Sequence, residues 1–284
     1  MSYLQRIRDC NRWNPEAFIP FQMPEGRVGH VRPSFAEQLR RWPTVFQVDG
    51  DALRWIASAK TFEERTDCMA EVTAGLLEIG AIDYLHGERY PVTLGQRTQV
   101  LFLLDRACAP YFGIRAYGQH LNGFVHNAQG LLLWVARRSP HRRVFPNRLD
   151  HLVAGGLPWG LSLEENLRKE AEEEAGIPPE LIARAVPVGA ITYCHASERG
   201  LKPDVMYCYD LEVPEDFVPH CTDGEVQSFQ LQPVEQVMET VRETEEFKLN
   251  CNLVLIDFLI RHGLITPEEP DYLDILRELH PPLP

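Results

Sequence analysis

Three glutamates, Glu170, Glu173 and Glu174, stand at spacings i, i+3 and i+4 within the stretch Leu163-Glu164-Glu165-Asn166-Leu167-Arg168-Lys169-Glu170-Ala171-Glu172-Glu173-Glu174-Ala175. On a helix this spacing turns all three carboxylates to one face. Like charges so placed repel by roughly 0.2–0.5 kcal/mol per pair, and acidic groups near a helix C-terminus meet the negative end of its dipole. A hard divalent cation held between them removes both conflicts, and carboxylate oxygens suit Mg²⁺ or Mn²⁺. The competing reading is a solvated acidic face. The one-sided spacing and the glycine-rich lead-in favour the cation.

The elements that must position these carboxylates are legible around them. Gly155-Gly156-Leu157-Pro158-Trp159-Gly160-Leu161 forms a glycine-rich loop ahead of Ser162. Ser162 with Glu165 makes a capping box, and Gly176 before Pro178-Pro179 makes a stop. Leu163, Leu167, Ala171 and Ala175 repeat every four residues and supply an apolar stripe. Upstream, Arg137, Arg138, Arg142 and Arg143 form the densest basic cluster of the chain, read either as a solvated loop or as a phosphate-facing patch. Downstream, the turn Asp223-Gly224-Glu225 offers a further carboxylate.

The chain divides into a unit over residues 1–115 and a second over 116–284. In the first, the pattern predicts helices at 3–13, 34–42 and 51–58, and extended segments at 18–21 and 28–31. A helix capped by Thr61 and Glu64 runs to Gly80, a strand covers 90–94, and an apolar helix covers 100–109. No catalytic constellation stands out there. His30, His86 and Arg89 are isolated and read as surface or capping residues. The second unit shows strands at 118–126 and 131–136 around the turn 127–130, then 149–154 leading to the glycine loop. Strands at 186–193, 205–213 and 226–231 follow the acidic helix, then helices at 233–243, 251–262 and 272–279. Strands alternating with helices make the class α/β or α+β.

With 284 residues, 44% hydrophobic and 24% charged, the chain is ordinary for a globular protein of one large or two small domains. A formal charge of −13 argues against nonspecific nucleic-acid binding or an anionic membrane surface as partner. Seven scattered cysteines without a CxxC pair fit reduced thiols. The N-terminus lacks an apolar leader core, and no apolar run approaches the roughly 18 residues of a membrane span. The expected compartment is the cytoplasm.

Competing motifs fail on specific residues. Gly155-x4-Gly160-Leu161-Ser162 has leucine where a P-loop needs its phosphate-contacting lysine, and the glycine spacing does not fit a dinucleotide fingerprint. Cys194, His195, Cys208, His220 and Cys221 lack zinc-ligand spacing, and no G-x-S-x-G elbow is present. The pattern that fits resembles the Nudix box, G-x5-E-x7-R-E-U-x-E-E-x-G-U with U aliphatic. Gly155, Glu170, Glu173, Glu174, Gly176 and Ile177 match it, whereas Leu161 replaces its first glutamate and Lys169 its arginine. The runs 117–123, 149–156 and 255–263 further resemble a Nudix group related to the N-terminal part of fungal thiamine pyrophosphokinases, where a separate domain precedes the Nudix fold.

That resemblance implies a Nudix α/β/α sandwich with a mixed sheet, preceded by a smaller α+β domain. It implies hydrolysis of thiamine diphosphate, or its oxo and oxy analogues, to the monophosphate. Mg²⁺ or Mn²⁺ would be held by Glu170, Glu173, Glu174 and the Ala154 carbonyl. Glu170 and Glu225 are the candidates for accepting the proton from water. Other Nudix chemistry on nucleotides or nucleoside-diphosphate sugars, or a non-catalytic diphosphate sensor, are the alternatives. The first unit is open to covering the pocket, selecting the ligand or carrying a homodimer contact.

Overall fold

A computed structural model describes residues 2–128 and 130–284. Gln129, in the expected turn at 127–130, lies outside the described residues, as does Met1. The first unit holds α1 (Tyr3–Cys10), β1 (Ile19–Met23), β2 (Gly26–Val31), α2 (Pro33–Leu39), β3 (Phe46–Val48), β4 (Leu53–Trp55), α3 (Phe62–Glu78), β5 (Arg89–Thr93), β6 (Val100–Asp105) and α4 (Ala109–Phe112). Its four-stranded sheet runs β2-β1-β4-β3, and β5 and β6 form a separate hairpin. α3 opens on the expected capping box, with Thr61 and Glu64 bonded reciprocally.

Two expectations for this unit are corrected. Residues 51–58 carry β4, not a helix, paired in parallel with β1. Residues 100–105 carry β6, not a helix, paired antiparallel with β5. In both cases a short apolar run lacks a period that separates strand from helix, and sheet pairing decides it. His30 is also buried, not a surface residue; burial, with Arg27 nearby, pushes its imidazole down to about 4.

The second unit comprises β7 (Ala116–Asn127), β8 (Gly130–Arg138), β9 (Leu149–Asp150), β10 (Val153–Gly156), α5 (Leu163–Ala175), α6 (Pro179–Ile182), β11 (Val186–Ser197), β12 (Gly200–Glu212), β13 (Val226–Pro233), α7 (Val234–Glu243), α8 (Cys251–Arg261) and α9 (Tyr272–Glu278). The sheet order is β11-β12-β7-β8-β13, with β10 on β7 and β9 on β8. β12 and β7 run parallel while the other pairs are antiparallel, so the sheet is mixed.

Strand alternation sends successive side chains to opposite faces, and each face has its own core. Phe124, Met206 and Cys208 pack with α7, α8 and α9. Leu121, Val125, Tyr209 and Leu211 pack with α5 and α6. The result is an α/β/α sandwich. α1 joins the first of these cores through Tyr3, Leu4, Ile7 and Cys10, so the helix that opens the chain packs in the core of the second unit.

Candidate active site

α5 sits where the sequence starts and stops it. Ser162 Oγ accepts from the Glu165 N–H, and Glu165 returns the bond to the Ser162 N–H at 2.8 Å. Gly176 closes the helix at φ 62°, a left-handed conformation that favours glycine. Leu167, Ala171 and Ala175 are buried against the sheet. Fully buried Asn166 adds a polar latch. Its Nδ2 donates to Gln119 Oε1 on β7 at 2.8 Å and to the Gly156 carbonyl on β10 at 3.0 Å. Gln119 Nε2 in turn donates to the Leu163 carbonyl at 2.8 Å. These bonds fix the helix to the strand that carries the glycine loop.

On the opposite face, Glu170, Glu173 and Glu174 line one cavity of about 970 Å³. Glu174 is buried, and its Oε2 accepts from the Ala154 N–H at 2.8 Å. Burial raises its carboxyl well above the ordinary range against that hydrogen bond, and Glu170, Asp150 and Glu225 add repulsion. Burial also raises Glu170, with Lys169 and Arg106 opposing. Gly155 leaves room for Glu170: a Cβ there would come within 2.5 Å of Glu170 Cδ. Lys169 Nζ bridges Glu173 Oε2 at 2.8 Å and Glu170 Oε1 at 3.2 Å. An ammonium thus rests between two carboxylates whose buried third neighbour has one backbone donor among the described residues. That donor set, all oxygen and short of positive charge, fits a hard divalent cation.

The four arginines divide. Arg137 does not line the cavity; its Nη1 donates to the Asn147 carbonyl at 2.7 Å and it pairs with Glu246 at 3.4 Å. Arg138 is buried and bound to Asp150 at 2.8 Å, with further bonds to the Val144 and Phe145 carbonyls. Arg142 lines the cavity but pairs with Glu225. Arg143 lies over the Tyr84 ring at 4.5 Å. Its partner ring belongs to the first unit, which also walls the cavity with Glu88, Tyr90 and Arg106.

A family model described as "NUDIX domain" matches residues 117–251, and one described as "Domain of unknown function (DUF4743)" matches residues 2–116. Nudix hydrolase 20, chloroplastic, of Arabidopsis thaliana is 45% identical across 98% of this chain and 77% of its own length. The chain belongs to the Nudix hydrolase family. Nudix hydrolase 24, chloroplastic, of the same plant is likewise 45% identical, over 98% of this chain and 77% of its own. Among solved structures, DR0079 from Deinococcus radiodurans covers 61% of this chain and 98% of its own at 24% identity and a TM-score of 0.45.

This Nudix hydrolase therefore carries its box on β10, the glycine loop and α5, as a pyrophosphohydrolase. Sequence reasoning missed Asn166 and Gln119, which show as ordinary polar residues in a helix and a strand, and the cavity wall from the first unit. Beside Glu174 lies a second polar group: His120, Asp150, His151 and Cys251 are all buried, their ligand-type atoms within 4.8 Å of one another. Asp150 already holds Arg138 and Lys248. Burial would raise its carboxyl, but Lys248, His151 and Arg138 hold it well below the ordinary range. Burial keeps both imidazoles neutral and the thiol protonated. A divalent cation would add charge to a carboxylate that two cations already match, so the group is a buried hydrogen-bond network.

Proposed function

We propose that this Nudix hydrolase cleaves thiamine diphosphate, or its oxo and oxy analogues, to the monophosphate, using Mg²⁺ or Mn²⁺. The observation that carries the reading is the reach of one cavity. It runs from the carboxylates of α5 to a region lined by Tyr84 of the first unit and by Tyr193 and His195 of β11. Aromatic rings suit the pyrimidine and thiazole of that substrate; a ligand ring at Tyr84 would displace Arg143 and Arg199, which lie over it at 4.5 and 5.4 Å. Glu198 and Asp204 line the same region and complement the thiazolium charge. The diphosphate then extends toward α5.

Glu170, Glu173, Glu174 and the Ala154 carbonyl are the groups that would hold the cation. When bound, it supplies neutralisation of phosphoryl oxygens and a more acidic water. The residues' own work is positional and proton-accepting. The Ala154 N–H fixes Glu174, and Gly155 lets Glu170 close against the loop. Glu170, whose carboxyl burial raises against Lys169 and Arg106, is the first candidate to accept the proton. Glu225 is the second candidate, but its ion pair with Arg142 competes with that role. Of the basic cluster, Arg138, Arg142 and Arg143 line the cavity, and Arg142, when released from Glu225, is the member proposed for the outer phosphate.

Among the described residues no helix is long and apolar enough to cross a membrane, and all seven cysteines are free. A panel of diphosphates tests the substrate. With Mg²⁺, thiamine diphosphate and its oxo and oxy forms should give monophosphate and inorganic phosphate at higher kcat/KM than nucleoside diphosphates or nucleoside-diphosphate sugars. The reverse ranking would sink the thiamine assignment while leaving the hydrolase intact.

A further inference from the structure

We infer that Arg106, contributed by the first unit, is a substrate-positioning residue that holds a phosphoryl oxygen of the diphosphate across the cavity from α5. The inference rests on the diphosphate reading above and extends it to the unit for which the sequence suggests no chemistry.

Arg106 follows β6 in a turn that is anchored from several sides. Its N–H donates to the Glu88 carbonyl at 2.8 Å, and Asp105 caps the turn through the Ala107 N–H at 2.8 Å. The same Asp105 carboxylate accepts from the N–H groups of His86 and Gly87 at 2.9 and 2.8 Å, which ties the loop before β5 to the turn. The guanidinium lies over the Tyr90 ring at 5.6 Å. The side chain is thus held in one direction before any ligand arrives, which cuts the ordering cost of binding.

That direction is toward the box. A Cβ on Gly156 would come within 2.1 Å of Tyr90 Oη and 3.0 Å of Arg106 Nη2, so both side chains rest on the bare face of a glycine next to the one that accommodates Glu170. Burial holds the Tyr90 hydroxyl protonated, pushed up to about 12, so it remains a donor. Arg106 Nη1 donates to Glu88 at 2.7 Å. A guanidinium has five N–H donors in a planar fork, and no other hydrogen bond of this one is described. It lines the cavity and is close enough to Glu170 to lower that carboxyl's affinity for its proton. Arg137, by contrast, does not line the cavity, and Arg138 spends its fork on Asp150 and the Val144 and Phe145 carbonyls. An acidic protein that takes an anion needs local cations, and Arg106 adds one from the first unit to those of the second that line the cavity, Lys169, Arg142, Arg143 and Lys248 among them.

Titration calorimetry of the full chain with Mg²⁺, then with inorganic pyrophosphate at saturating Mg²⁺, tests this. Arg106→Gln should weaken pyrophosphate binding by roughly tenfold or more, the loss expected for a charge-assisted contact, with Mg²⁺ uptake unchanged. Arg106→Lys should recover part of the loss. Glu88→Gln removes the same ion pair but leaves the guanidinium, so it should bind pyrophosphate within about twofold of the parent. Equal losses in Arg106→Gln and Glu88→Gln would show a structural role and overturn the inference, as would parental binding by Arg106→Gln. If the parent takes up Mg²⁺ but not pyrophosphate, the inference falls and the metal site stands; if it takes up neither, both fall.

Discussion

Glu174→Gln should stabilise the metal-free protein while removing its response to Mg²⁺. Glu174 is buried, its carboxylate has one described donor, the Ala154 N–H, and three other carboxylates repel it. Glutamine keeps the shape and the acceptor for Ala154 but carries no charge. Because burial raises the folded-state value above the ordinary 4.5, Glu174 contributes fully to stability below 4.5. That contribution is lost as pH climbs through the raised value. The advantage of glutamine should therefore be near zero at low pH and open at about 1.4 kcal/mol per pH unit across the window. Above it, relief of a buried charge with incomplete pairing is on the order of 1–3 kcal/mol. In a chain of this size that is a Tm rise of roughly 2–8 °C. Melting both proteins in EDTA from about pH 4 to about pH 9 and repeating with Mg²⁺ gives the test. The parent should gain about 2.7 kcal/mol at a hundred times its Kd for the ion, and the variant much less. A variant that melts lower than the parent in EDTA at high pH, or gains equally from Mg²⁺, refutes the reasoning.

Gly156→Ala should cost about 1–3 kcal/mol, because its Cβ meets Tyr90 Oη at 2.1 Å. Adding Tyr90→Phe should return part of that in chemical denaturation, so the pair is non-additive. Ser162→Ala should cost about 0.5–2 kcal/mol through loss of the capping box, read by denaturant midpoint, with activity kept in the folded fraction. Gly200→Ala should destabilise the joint between the units, since its φ is 137° and its Cβ would lie 2.1 Å from the Pro110 carbonyl; limited proteolysis should then cut faster between them.

The site's frame was legible because its signals are local. Ser162 with Glu165, the Gly176 stop and the i, i+3, i+4 glutamates are all encoded within one helix, and the structure brings those glutamates to one cavity. What was not legible depends on distant partners. Arg137 and Arg138 look free in sequence because Glu246 and Asp150 lie 109 and 12 residues away. Arg106 sits in an apolar run that reads as a helix, and only the β5–β6 pairing and the seam with Gly156 show where it points. α1 reads as the start of the first unit, yet its apolar face meets α8 and α9, at the far end of the chain.

The most direct measurement is Mg²⁺-dependent phosphate release from thiamine diphosphate by the parent and by Glu173→Gln/Glu174→Gln, each shown folded by circular dichroism. Hydrolysis should rise and saturate with Mg²⁺ in the parent, cease in EDTA, and fall at least about a hundredfold in the variant, the scale on which groups that act as a unit are lost. Equal turnover by the two proteins, or full activity in EDTA, would contradict a metal-dependent hydrolase built on this helix.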